Sequence, residues 1–308
     1  MKTLFRKLYC YFFSILRQFY LREGKKQKLN TFTKMVKRKS NEIGLKNSNF
    51  AVPSGSTVLS FQSTTSCRDM MKIMKVAYEN EFLRELWKNK DYSISISGDN
   101  ERVEEITTTV QDKEFEKYYK ILGGKTGTLA LVGNKLLICN LAIVAEIDNQ
   151  PVIAVAMNID SPDNRFSVMK QILDYAKGEV TELNIDNSTA YIVCGVGENG
   201  ENNVICEKNA DKKYHSASLA KIITTLTALD YVDNIKTKIL IKKEDLYHGS
   251  GAIFRENDII TFEDAIYAML LCSSNQAAQA VARTVTEIIK NKKPTVKNGR
   301  ADSLANAN

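Results

Sequence analysis

KLLICNLAIVAEIDNQPVIAVAMNI, residues 135–159, places two apolar runs of strand length on either side of Asp148–Asn149. Asp and Asn tolerate the left-handed backbone that a tight hairpin turn demands, so the segment reads as an antiparallel strand pair. RFSVMKQILDYAK (165–177), just downstream, is helical in its apolar spacing, and STAYIVCGVGENGENNVICEKN (188–209) gives two more short strands around a Gly/Asn turn. Before the hairpin, KDYSISISG (90–98) alternates like a half-buried strand. Helices are expected over TFTKMVKRKSNEIGL, ending near Gly44, and over CRDMMKIMKVAYENEFLRELWK (67–88), with Ser63, Thr64 and Thr65 as capping candidates. Two further helical stretches are SLAKIITTLTALDYV (218–232) and TFEDAIYAMLLCSSNQAAQAVARTVTEIIK (261–290). Strand pairs interleaved with helices, with no repeat, indicate an α+β fold with an antiparallel sheet and a helical region. They do not form a doubly wound βαβ array.

With 308 residues and 44% hydrophobic content, the chain can bury a sizeable core in one or two domains. Sparse cysteine and ordinary glycine exclude disulfide-scaffold and collagen-like classes. The net charge of +7 is local. Residues 1–28 hold eight of the 43 Lys and Arg and one of the 36 Asp and Glu, which is the whole excess. A balanced body with no basic helix or nucleic-acid motif gives no nucleic-acid footprint.

The leader itself, LFRKLYCYFFSILRQFYL (4–21), sets Leu4, Leu8, Phe12, Ile15 and Phe19 on one helical face, with Arg6, Lys7, Arg17 and Gln18 mainly opposite. Its uncharged run is too short to span a bilayer and no small-residue cleavage site follows. An interfacial amphipathic helix at an anionic membrane surface fits, and so does a helix docked on the body or a poorly ordered extension. The polar tail, 292–308, is expected to be disordered.

The six cysteines (Cys10, Cys67, Cys139, Cys194, Cys206 and Cys272) are scattered, and no Cys/His cluster has metal-ligand spacing, so neither metal nor organic cofactor is implied. Three short motifs carry chemistry. Ser218-Leu-Ala-Lys221 puts a hydroxyl and an amine one helical turn apart, and an amine with a depressed pKa can take the serine proton. Ser167-Val-Met-Lys170 has the same spacing without company and reads as ordinary helix surface. Ser273-Ser-Asn275 can direct a hydroxyl and a carboxamide into one cleft, or simply cap a helix. Lys125-Thr126-Gly127 sets a cation and a hydroxyl beside a glycine, which lets backbone approach a ligand closely; its plain alternative is a turn. A phosphate loop is excluded there, because the first glycine of that pattern falls on Tyr119. His215 and His248 read as bystanders.

Together these motifs resemble the signature set of penicillin-binding proteins and serine β-lactamases. NADKKYHSASLAKIITTLTALD resembles the nucleophile region of the low-molecular-mass D-alanyl-D-alanine carboxypeptidases, and HGSGAIFRENDIITFEDAIYAMLLCSSNQAAQAVA the stretch leading into their second motif. NEIGLKNSNFAVPSG with STTSCRDMMKIMKVAYENEFLRELW, and GGKTGT with RFSVMKQILDYA, resemble the family's later segments. The resemblance runs over residues 31–291, with the order changed: Lys125 precedes Ser218 by 93 positions, whereas the family places the nucleophile first. It implies a circularly permuted β-lactamase/penicillin-binding-protein-like transpeptidase fold. Residues 31–177 match the family's C-terminal part, 178–187 form the joint, and 188–291 match its N-terminal part, with 1–30 as leader and the cut between TVTEIIKNKK and TFTKMVKRKSNEIGL.

The resemblance further implies a serine D-Ala-D-Ala carboxypeptidase acting on peptidoglycan stem peptides outside the cytoplasmic membrane, with β-lactams as covalent inhibitors. Ser218 would be the nucleophile, Lys221 its base, and Ser273 the proton relay to the leaving amine. Asn275 would hold the substrate amide, and Lys125 with Thr126 and Gly127 the terminal carboxylate. The N–H groups of Ser218 and Thr128 would form the oxyanion hole. A serine β-lactamase is the alternative, ranked lower because no Glu-x-x-Leu-Asn string supplies a deacylating carboxylate; a non-catalytic module binding wall peptides or a partner is the other.

Overall fold

The computed structural model describes residues 23–56, 62–130, 137–197, 202–246 and 249–291. In chain order the elements are α1 (Glu23–Ile43), β1 (Thr64–Thr65), α2 (Cys67–Glu79), α3 (Glu81–Trp87), β2 (Asp91–Gly98), β3 (Arg102–Thr107), β4 (Ile121–Ala130), β5 (Leu137–Ile147) and β6 (Gln150–Ile159). There follow α4 (Arg165–Lys177), β7 (Ala190–Val196), β8 (Asn202–Lys208), β9 (Tyr214–His215), α5 (Ala220–Leu229), β10 (Lys238–Leu240), β11 (Asp258–Thr261), α6 (Phe262–Leu270) and α7 (Asn275–Asn291).

β4 to β8 form one antiparallel sheet in sequential order. The hairpin forms as expected, with Asp148 and Asn149 at φ of 50° and 61°, both in the region a two-residue turn requires. Its strands lack alternation because both faces are covered. Leu141, Ile143 and Ala154 pack with Met169, Ile172 and Leu173 of α4 on one side. Ala142, Val144 and Val155 join Met70 and Met74 of α2 and the helical region on the other. β10, β11, β2 and β3 make a smaller antiparallel sheet, and β1 pairs β9.

α5 runs through the middle of the helical region, with every residue from Ala220 to Ala228 buried, between α1, α2, α6 and α7. A helix buried all round cannot show a one-sided apolar stripe, and the polar residues on α5 are buried with partners: the hydroxyls of Thr224, Thr225 and Thr227 donate to backbone carbonyls.

Several elements differ from their sequence reading. α1 begins at Glu23, not at Thr31, and so crosses the expected leader boundary without a break. The cap of α2 is Ser66, whose side chain accepts from Asp69 N–H. Thr64 and Thr65 instead pair with His215 and Tyr214, and Ser63 Oγ accepts from Ala51 N–H. The helical stretch 261–290 is two helices, broken where Ser273 takes a φ of 67°. The leader segment 4–21, His248 and the tail from 292 lie outside the described residues.

Candidate active site

The site is built where three chain segments meet at the β4 edge of the large sheet. A 3-10 turn, Ala217–Leu219, leads into α5. Ala217 holds a φ of 45°, a strained conformation for a residue with a side chain, of a kind that persists where surrounding structure enforces it. Gly55 is part of that enforcement. A Cβ there would lie 1.8 Å from the Ala217 carbonyl oxygen, so only glycine lets the segment 51–56 close over the turn.

Ser218 is half-buried and Lys221, one turn on, is fully buried. Lys221 Nζ lies 2.8 Å from Ser218 Oγ, 2.8 Å from Asn275 Oδ1, 3.1 Å from the Ser54 carbonyl oxygen and 3.4 Å from Ser273 Oγ. Burial, and secondarily the charge of Lys125, hold the Lys221 amine well below the ordinary lysine range. An amine with this environment is neutral far more readily than a surface lysine.

Between α6 and α7 the Ser-x-Asn motif divides its labour. Ser274 Oγ accepts from Ala277 N–H and donates to the Ala252 carbonyl. The middle residue therefore does the structural capping, which leaves Ser273 and Asn275 directed at Lys221.

On β4, the sheet's edge, Lys125 is fully buried and donates to the Thr126 carbonyl at 3.1 Å. Burial, with a smaller contribution from Arg165, pulls its pKa down to about 7. Gly127 faces the nucleophile turn, and a Cβ there would sit 3.1 Å from the Ser216 carbonyl oxygen. The sequence reading assigned this glycine to ligand approach; the structure adds that it admits the neighbouring backbone. Thr128 is exposed, and its Oγ1 accepts from Arg165 Nη2 at 2.6 Å.

The structure therefore brings the three motifs to one place despite their order. Ser167 and Lys170 lie elsewhere, on the outer face of α4. His215 is not hydrogen-bonded to Ser218; its carbonyl oxygen accepts from Asn140 Nδ2.

Sequence reasoning missed five participants. Ser54 supplies a carbonyl to Lys221, and Gly55 packs the turn. Thr109 accepts from Thr126 Oγ1 at 2.7 Å, and its N–H donates to the Leu271 carbonyl. Arg165 reaches β4 from the start of α4, with its buried Nε unpartnered. Asn140 is a carboxamide in the middle of an apolar run. That last contrast was a usable signal, because a buried amide must find partners.

The model of the D-alanyl-D-alanine carboxypeptidase family matches residues 25–161 and 179–291. The chain belongs to the D-alanyl-D-alanine carboxypeptidase family. Searches of curated proteins and of solved structures give no match. The α+β architecture, antiparallel sheets flanked by helices, agrees with the carboxypeptidase fold. This D-alanyl-D-alanine carboxypeptidase is a serine-type hydrolase, and its family implies a peptidoglycan peptide as substrate and sensitivity to β-lactams. The family works typically outside the cytoplasmic membrane. Among the described residues no helix is long and apolar enough to cross one.

Proposed function

We propose that Ser218 is the acyl-enzyme nucleophile and Lys221 its general base. The observation that carries this is the fourfold surround of the buried Lys221 Nζ. Two of its neighbours, Ser54 O and Asn275 Oδ1, are acceptors only. A neutral amine has two N–H groups, and these two oxygens consume both. Its lone pair is then left for the hydroxyls, with Ser218 Oγ at 2.8 Å.

Ser218 Oγ attacks the carbonyl carbon of the penultimate D-Ala as its proton passes to Lys221. The oxyanion is held by the N–H groups of Ser218 and Thr128, each donor contributing about 3 kcal/mol in such sites. The C–N bond breaks, and the leaving amine receives the Lys221 proton through Ser273. Water then attacks the ester, gives its proton to Lys221, and releases Ser218. Asn275 holds the substrate amide, while Lys125, Thr126 and Gly127 bind the terminal carboxylate, with Arg165 adding a second cation at the same edge. A fluorescent penicillin tests this: wild type and Ser167→Ala become labelled, and Ser218→Ala does not. Labelling of Ser218→Ala at the wild-type rate refutes the assignment.

The order of motifs is read as a circular permutation with its joint at 178–187. β6 and β7, which flank α4 and the joint, are neighbouring antiparallel strands, and α1 packs against α7 on the side of the cut. The family match is in two blocks; its interruption, 162–178, takes in α4 and ends where the proposed joint begins, so residues 179–187 lie inside the second block. A chain re-linked from 291 to 23 and opened within 178–187 is expected to fold and label like the wild type; failure to fold argues against the permutation.

Residues 1–28 are proposed to bind an anionic membrane surface, with each cation contributing about 1 kcal/mol. Deleting 1–28, which removes all eight of these cations, should abolish binding to anionic vesicles and leave penicillin labelling intact. Surviving vesicle binding overturns the leader reading.

A further inference from the structure

Asn140 is fully buried and uses both ends of its carboxamide. Its Nδ2 donates to the carbonyls of His215 at 2.9 Å and Ser216 at 3.2 Å. Its Oδ1 accepts from Asn158 N–H at 3.0 Å. The two carbonyls belong to the last residues before the strained Ala217 and Ser218. Asn158 closes β6 with a φ of 61°. The β5–β6 register shifts between Cys139 and Leu141, where Met157 and Asn158 of β6 together oppose Asn140; this bulge in β6 turns the Asn158 N–H onto the Asn140 carboxamide.

On its other edge Asn140 is the register partner of Gly127, and Cys139 that of Thr128. The Ser216 carbonyl thus lies between Gly127, which it approaches closely, and the Asn140 amide, which holds it. The nucleophile turn has no covalent link to β4 nearer than the whole intervening chain. Toward the large sheet it is held by this carboxamide, anchored in the strand beside β4, while on the other side the Ser216 N–H and Oγ bond the Ser63 carbonyl. The separation between the Ser218 and Thr128 N–H groups depends on that seat.

We propose that Asn140 is a positioning residue that sets the oxyanion hole, by bolting the backbone before Ser218 to the sheet that carries Thr128. The proposal rests on Ser218 being the nucleophile, and extends that reading to a residue that touches neither substrate nor the reacting atoms. Electrostatic stabilisation of the oxyanion is sensitive to donor placement, because the donors must meet the oxygen where charge develops. Loosening the turn therefore slows the chemical step more than it weakens substrate binding.

The test uses the full chain with Asn140→Asp, which keeps the shape but turns an oxygen toward two carbonyls, and Asn140→Ser, which keeps a small donor. Penicillin acylation is followed to completion at several concentrations, separating the saturating rate, the half-saturating concentration and the final labelled fraction. Positioning predicts a saturating rate at least tenfold slower in both variants, with the half-saturating concentration within about threefold of wild type. For D-Ala release it predicts a fall in kcat with little change in KM. A merely structural role lowers the labelled fraction while the molecules that do label react at the wild-type rate, and that result overturns the proposal. So does a saturating rate within twofold of wild type. Failure of the nucleophile reading is distinct, because Ser218→Ala would then still label.

Discussion

The chain contains Ser-x-x-Lys twice, and the two copies do opposite things. Ser167 and Lys170 share one turn of α4, where Ser167 Oγ donates to the Asn164 carbonyl and Lys170 pairs with Asp174 at 2.7 Å over the Tyr118 ring. Ser218 and Lys221 share one turn at the entrance to α5, where the lysine is fully buried and no carboxylate is among its hydrogen-bond partners. Spacing alone puts hydroxyl and amine on one helix face in both places, but only at the second do they meet. At the first the amine is paired with a carboxylate on the surface, whereas burial and a second lysine favour the neutral amine at the second. The chemistry resides in what surrounds the pair.

The largest expected effect is the loss of either partner at the buried site. Ser218→Ala should reduce D-Ala release by at least about 10⁴-fold and remove penicillin labelling, as measured by turnover and in-gel fluorescence. Lys221→Met keeps the length and burial but removes the base, and should slow acylation by about 10²–10⁴-fold. Stopped-flow acylation checks this, and a change of less than tenfold would place the base elsewhere.

Lys125→Met sharpens the comparison by pH. The Lys125 charge helps depress Lys221, so removing it should raise the Lys221 pKa and move the acid limb of the acylation rate to higher pH. Stability gives a second reading. With its pKa about 7, down from an ordinary 10.5, Lys125 binds its proton less tightly folded than unfolded. The penalty is full below about 7 and is relieved as pH rises toward 10.5. Lys125→Met should therefore raise Tm near pH 6 and lose that advantage in alkali. The smallest effect belongs to the surface copy: Ser167→Ala should leave kcat/KM within twofold, and Lys170→Met should cost about 0.5 kcal/mol or less in chemical denaturation.

What the sequence made legible was local. Asp148–Asn149 announced its hairpin, and apolar runs announced the sheet and α5, because turn chemistry and burial act on neighbouring residues. The three motifs were legible because each fits within four residues. The break between α6 and α7 was not, since apolar spacing continues across it and nothing in Cys272-Ser273-Ser274 advertises the left-handed φ at Ser273. β3 escaped notice because its burial is slight, with Val103 60% exposed. Arg165, Thr109 and Ser54 gain meaning only from partners far away in sequence, which spacing rules cannot reach. Asn140 lies between the two cases: its oddity is visible in the apolar run, but its partners at His215 and Ser216 are not.

Peptide mapping of the penicillin-treated full chain by mass spectrometry tests the central assignment most directly. One penicilloyl group per chain on Ser218 is the result expected. An adduct on Ser167 or any other residue, or no adduct on folded protein, would contradict it.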